Sequence, residues 1–168
     1  MDVFWLVPGR LAGGSRPGAR RFRRASPDPL ADDLAALGAD GIAAILTLTT
    51  RPLPDALARH ELVTLHVPIR DFAAPSVEQL ATAIAWIDDQ LAHGSPTLVH
   101  CDGGRGRTGI VLAAWLVAHG RTVEEAVTAV RKIRPRAVET RGQWRALRRF
   151  RESVSRPAPT PSNPRCDT

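Results

Sequence analysis

The sequence predicts a single α/β domain, a central and mostly parallel sheet of about 4–5 strands flanked by helices, with a glycine-rich loop between the last strand and a buried helix. Three observations predict it. Short apolar runs alternate with longer segments of helical periodicity along the chain. Turn signals and capping residues fall between them. A glycine-rich stretch, residues 102–108, joins a short strand to an almost wholly apolar segment. At 168 residues the chain is of one-domain length and buries about two-thirds of its unfolded surface.

The elements follow in order. Phe4-Trp5-Leu6-Val7 before Pro8-Gly9 reads as a strand and turn, and Arg10-Leu11-Ala12 as a second strand ended by Gly13-Gly14. Arg20 to Arg24 is a charged loop. Asp28-Pro29 starts a helix, with Asp as N-cap and Pro at the first helical position. Leu30, Leu34 and Leu37 carry that helix to a stop at Gly38. Ile42 to Leu48 is an apolar run that suits a buried strand. A short helix is expected within Pro52 to His60. Val63 to Val67 alternates with period two, as a half-buried strand does.

Ser76 and Gln79 form a capping box, followed by Val77, Leu80, Ile84, Ile87 and Leu91 at helical spacing. Thr97 to His100 is a short strand. Ile110 to His119 is apolar nearly all round, so a buried helix is expected, beginning near Gly106 and stopped by Gly120. Thr122 and Glu125 make a second capping box, ahead of a core stripe of Val123, Ala126, Val127, Val130 and Ile133. Thr140 to about Val154 is a last helix, with Leu147, Phe150 and Val154 inward and Arg141, Arg145, Arg148 and Arg149 outward. Pro157, Pro159, Pro161 and Pro164 then forbid regular structure. The expected division is a domain over 1–155 and a disordered tail over 156–168.

Composition excludes several classes. No apolar run approaches the roughly 18 residues that span a bilayer, and the N-terminus lacks a signal-peptide pattern. With Cys101 and Cys166 as the only cysteines, neither a disulfide scaffold nor a cysteine zinc module is available. A cytoplasmic monomer without metal or cofactor is expected. The net charge of +6 is uneven: +5 over residues 1–24, −6 over 25–120 and +7 over 121–156. A solvated helix face accounts for the basic end, and the absence of an aromatic stacking platform argues against nucleic acid.

The chemistry lies in His100-Cys101-Asp102-Gly103-Gly104-Arg105-Gly106-Arg107-Thr108. A loop this short curls so that its backbone N–H groups converge. Glycine at 103, 104 and 106 permits positive φ and close approach to an anion. The helix that follows aims its positive dipole end at the same point. Arg107 adds a planar fork that matches two phosphate oxygens. Dipole, amides and Arg107 favour the Cys101 thiolate, an in-line nucleophile beneath a bound phosphate. The Thr108 hydroxyl is expected to donate to the sulfur. The phosphate-binding set is therefore Asp102, Gly103, Gly104, Arg105, Gly106 and Arg107. Within it Asp102 is read as pointing out, since an inward carboxylate would repel phosphate. His100 is read as a brace for the loop.

This His-Cys-x-x-Gly-x-x-Arg-Thr run resembles the signature loop of the cysteine-based protein tyrosine phosphatases. The likeness extends from about Trp5 to Phe150. Val7 to Gly13, Thr47-Leu48-Thr49 and Val138-Glu139-Thr140…Gln143 are similar to the small atypical dual-specificity phosphatases. The resemblance implies an acid that protonates the leaving oxygen. Asp71, in the loop Ile69 to Pro75 thirty residues before the nucleophile, occupies the corresponding position, and Asp55 is the fallback. It also implies that Gln143 positions the hydrolytic water. Thr50 and Arg136 depart from the family pattern, standing where many relatives carry an acid and a glycine.

The implied activity is phosphomonoester hydrolysis through a phosphocysteine, on protein phosphotyrosine and, with a shallow pocket, phosphoserine or phosphothreonine. The alternative is the same chemistry on a phosphoinositide or other small phosphate, suggested by Arg105. A phosphate-binding adaptor would not need Asp71, and a sulfur-transfer enzyme would not need Arg107-Thr108. Cys166 is considered as a resolving thiol.

Overall fold

Strand pairing brings the C-terminal ends of four parallel strands to one edge, and the chemistry-bearing residues gather there. The computed structural model describes residues 1–19, 27–54 and 61–155. The expected charged loop at 20–24, most of the short helix at 52–60, Asp55, the 156–168 tail and Cys166 lie outside the described residues.

The sheet has the order β1-β2-β5-β3-β4, with β1 Val3–Val7, β2 Leu11–Gly14, β3 Ala44–Thr47, β4 Val63–His66 and β5 Thr97–His100. β1 pairs antiparallel with β2, and the remaining pairs are parallel. Thr47 stands opposite both His100 and His66, so β3, β4 and β5 end level. The ladder continues past the strand ends. Leu48 N–H donates to His100 C=O at 3.0 Å, and Ile69 N–H to Leu48 C=O at 3.0 Å. These bonds deliver the segment after β4 to the end of β5.

Alternate residues of the central strands enter two cores, as period-two geometry requires. Ala12, Ile45 and Leu98 pack with Leu34 and Leu37 of α1, Pro29–Ala39. Leu11, Leu46 and Val99 pack under α2 Val77–Ala92, α3 Gly106–Ala118, α4 Val123–Ile133 and α5 Arg141–Ser155. α3 lies against α2, α4 and α5, and every residue from Gly106 to Ala114 is buried. It has no polar face because it has no solvent face. Both capping boxes form as the sequence predicts.

Three local expectations are corrected. Gly38 does not stop α1: the helix runs through it to Ala39, and the chain turns at Gly41, whose φ of +79° is left-handed. Ile42 N–H then closes back on Leu37 C=O at 2.9 Å. Ile133 and Val154 are 40% and 46% exposed. Each is at the end of its helix, where the apolar stripe outlasts the surface it packs on.

Candidate active site

Cys101 directly follows β5 and is 3% exposed. The loop after it turns within four residues into α3. Its shape is held from outside by two arginines. Arg134 Nε donates to Gly104 C=O at 3.2 Å and its Nη2 to Gly103 C=O at 2.8 Å. Arg16 N–H donates to Asp102 C=O at 3.3 Å. In a planar trans peptide the N–H points opposite to the C=O. Three carbonyls drawn outward therefore turn the N–H groups of Gly103, Gly104 and Arg105 inward. The Gly104 N–H is seen doing so, donating to Cys101 Sγ at 3.2 Å.

Of the three loop glycines only Gly104 has positive φ, +64°. The reason is contact as well as conformation: a Cβ there would meet the Gly14 backbone at 2.7 Å. Gly106 serves a different need, since a Cβ on it would collide with the Glu139 carboxylate and come within 3.0 Å of Gln143 Nε2. Arg105 is the exposed residue that caps α3 through its backbone, without a side-chain cap bond.

Arg107 is 3% exposed and meets three partners. Nη1 donates to Ile69 C=O at 3.1 Å, and Nη2 contacts Asp71 at 2.9 Å and Asp102 at 2.7 Å. Its Nε is buried with no partner. The expectation that Asp102 points away is thus corrected: although half exposed, its carboxylate ends on the guanidinium, where opposite charge draws it. The expected hydrogen bond from Thr108 to the sulfur is also not formed. Its buried hydroxyl has no hydrogen-bond partner, and the Sγ accepts from the Gly104 amide.

His100 is fully buried and bridges two strands. Nδ1 lies 3.3 Å from Cys101 C=O, which can only accept, so Nδ1 carries the hydrogen. Nε2 then accepts from Thr47 Oγ1–H at 2.9 Å. Burial, aided by Arg16 and Arg107, lowers its pKa from 6.5 to about 4 against the opposing Cys101 carbonyl and Asp102, so it is neutral near pH 7.

Asp71 sits in an exposed turn beside Phe72, whose N–H donates to Asp71 Oδ1 at 3.1 Å. Phe72 has φ +56° and is 65% exposed. Gln143 is fully buried. Its Oε1 accepts from the N–H of Glu139 at 2.7 Å, and its Nε2 donates to Ala73 C=O at 3.4 Å, tying this turn to the start of α5. Asp71, Phe72, Cys101, Arg105, Arg134 and Glu139 line one cleft of about 440 Å³.

Arg134, Arg16 and Glu139 are the residues that sequence reasoning missed as parts of this site. Arg134 had a faint signal, lying two residues before the departure from the family pattern at Arg136. Nothing in the sequence links Arg16 to a loop more than eighty residues away.

A nucleophile on a strand end, an inward-facing amide loop, a buried arginine fork and a nearby carboxylate together suit phosphoryl transfer. Residues 17–121 match the family model for the polymorphic toxin system DSP-PTPase phosphatases. The chain belongs to this DSP-PTPase family, within the cysteine protein tyrosine phosphatase superfamily. Among solved structures, the chain is similar to Tk-PTP in the active form, with a TM-score of 0.77 and 33% identity over 90% of this chain and 97% of that one. It shares the fold of PTPMT1 in complex with PI(5)P, with a TM-score of 0.78 at 18% identity over 92% and 97% of the two chains. It is also 33% identical over 125 residues to the phosphatidylglycerophosphate phosphatase PTPMT1 of Arabidopsis thaliana, and 32% over 128 residues to PTPMT2 of the same plant. Those matches take in 71% and 73% of this chain but 37% and 56% of the relatives' lengths. No helix among the described residues is long and apolar enough to cross a membrane.

Proposed function

We propose that this phosphatase hydrolyses phosphomonoesters through a phosphocysteine at Cys101, with protein phosphotyrosine as its substrate class. The observation that carries the reading is a convergence. Arg107 Nη2 lies 2.9 Å from Asp71, and the loop holding Arg107 also aims the Gly104 amide at the Cys101 sulfur, 3.2 Å away. Nucleophile, anion fork and acid thus share one site.

The Cys101 thiolate attacks phosphorus, the bond from phosphorus to the ester oxygen breaks, and protonated Asp71 gives its proton to the departing oxygen. The amides of residues 103–105 and Arg107 hold the equatorial oxygens. Water then attacks the phosphocysteine, Asp71 takes its proton, and the P–S bond breaks to return the thiolate. Gln143 positions that water in the family, and here its side chain holds the Asp71 turn through Ala73. The balance needs no metal.

Phe72 at the mouth supports an aromatic substrate, because a phenyl ring packs on an exposed ring beside the acid. A second reading, a lipid-borne phosphomonoester, is favoured by the two phosphatidylglycerophosphate phosphatases among the relatives. One panel separates them: phosphotyrosyl and phosphothreonyl peptides, phosphatidylglycerophosphate and phosphoinositides, each assayed with a chelator present. The phosphotyrosyl peptide is expected to give the highest kcat/KM. A higher value on a lipid would replace the first reading with the second. Cys101→Ser should lower kcat by more than about 10⁴-fold on every substrate while phosphate binding persists.

A further inference from the structure

We propose that Asp102 is a specificity-determining residue that occupies the Arg107 fork until phosphate displaces it, so that the site accepts a lone phosphomonoester and discriminates against substrates with a second phosphate nearby. The inference rests on the phosphatase reading above and narrows its substrate class.

The geometry of the guanidinium carries it. Arg107 Nη1 is committed to the Ile69 carbonyl at 3.1 Å. Nε is buried without a partner, although a guanidinium N–H in that position is costly to leave unpaired. A phosphate that takes Arg107 in its bidentate mode therefore uses Nε and Nη2. Nη2 is where Asp102 sits, at 2.7 Å, with Asp71 at 2.9 Å. Asp71 is needed near the ester oxygen, whereas Asp102 is the one that the anion must replace. With its side chain 51% exposed, Asp102 has solvent to swing into.

Displacement has two consequences. Each phosphate bound breaks one charge-assisted hydrogen bond, so affinity for any phosphate, product included, is lowered. Once displaced, the carboxylate remains tethered one residue from Cys101 and repels whatever negative charge lies at the rim. Among the described residues Asp2, Asp71 and Glu139 also line this cleft, with Arg105 and Arg134 as the cations; Arg134 is spent on Asp2 and the loop carbonyls, which leaves Arg105 to face Asp71, Glu139 and the displaced Asp102. A second phosphate on the substrate meets that field, while a neutral body such as a phenyl ring does not.

The test is a titration of inorganic phosphate by calorimetry into Cys101→Ser protein, alone and combined with Asp102→Asn or Asp102→Glu. Asn removes the charge at nearly constant shape, and Glu restores it. The affinity is expected to rise about tenfold with Asn and to return to within about threefold of the parent with Glu, as a displaced charge-assisted bond is worth. Equal or weaker phosphate binding by the Asn protein overturns the proposal, as does equal tightening by Asn and Glu. A parallel assay on the Cys101 protein compares kcat/KM for an inositol monophosphate and an inositol bisphosphate with adjacent phosphates. Asp102→Asn should raise the bisphosphate-to-monophosphate ratio about tenfold, and an unchanged ratio overturns the specificity claim. If phosphate binds but no phosphomonoester is turned over, the phosphatase reading fails, and the phosphate titration still decides the role of Asp102.

Discussion

The two loops that meet at Arg107 are built in opposite ways. The phosphate loop is inside the protein: Cys101, Gly104, Gly106, Arg107 and Thr108 are buried, and its carbonyls are anchored by Arg134 and Arg16. The acid loop is outside it. Asp71, Phe72 and Ala74 are exposed, and the turn hangs on Ala73 N–H to Arg70 C=O at 3.1 Å, the Gln143 bond to Ala73 and the ion pair to Arg107. One loop is made rigid before any substrate arrives, which is what electrostatic stabilisation of a transition state demands. The other carries the proposed acid, Asp71, on an exposed turn held by few bonds.

Replacing the acid tests the exposed side of this contrast. Asp71→Asn is expected to lower kcat by roughly 10²–10⁴ on substrates with a poor leaving group, the usual worth of a positioned acid. An aryl phosphate whose leaving group needs little protonation should lose much less. Protonated acid and ionised nucleophile are opposed requirements, so kcat/KM should be bell-shaped in pH, and the alkaline limb should flatten in the variant. Equal losses on both substrates with the limb intact would move the acid elsewhere.

The buried side is tested by Gly104→Ala. The left-handed φ and a Cβ 2.7 Å from Gly14 backbone atoms leave no side-chain rotation that relieves the clash. The expected loss is about 3 kcal/mol of stability, from the conformational penalty and overpacking together. Turnover should fall with it, because the amide that meets the sulfur must move. Urea denaturation with wild-type stability would show that the loop is not preformed in the way its contacts imply.

His100 supplies a pH test of the same loop. Its folded pKa of about 4 lies below the ordinary 6.5, so the unfolded chain binds the extra proton between those values. The stability from this group is full above pH 6.5 and is lost as pH falls toward 4. The loss should approach about 3 kcal/mol, at 1.36 kcal/mol per pH unit. Denaturation midpoints at pH 7 and pH 4.5 measure it. His100→Gln should reduce that pH difference whatever it does to stability at pH 7.

The same contrast governs what was legible in the sequence. The phosphate loop was readable because nucleophile, glycines, arginine and helix start are contiguous, and local geometry alone makes them converge. Asp71 was singled out through the family resemblance, which puts an acid in the loop between a strand end and a capped helix. What escaped reading is long-range. Arg134 reaches the loop from thirty residues downstream, and Glu139 covers Gly106 from the far end of the same connection. The aim of Asp102 depends on the competition between solvent and Arg107, which adjacency in sequence does not resolve. The family-pattern departure at Arg136 has a structural counterpart: its φ is +66°, a conformation that glycine adopts without penalty.

The smallest expected effect concerns Phe72, where the acid loop holds a bulky residue at φ +56°. Left-handed backbone costs an L-residue about 1–2 kcal/mol, and glycine avoids this while giving back about 0.4–1 kcal/mol through its freer unfolded chain. The ring is 65% exposed, so its removal forfeits little burial. Phe72→Gly should therefore leave stability within about 1 kcal/mol of wild type, on the stabilised side. Activity separates two roles for the residue. Lost packing of the ring on an aromatic substrate should raise KM for a phosphotyrosyl peptide about 2–10-fold, as an aromatic pair is worth, and Phe72→Ala should do the same. Lost backbone restraint should lower kcat in Phe72→Gly alone, because alanine keeps the conformational restriction and glycine releases the turn that presents Asp71. If both variants raise KM equally with kcat untouched, the loop's contribution is its ring. If kcat falls only with glycine, the strained turn itself holds the acid against Arg107.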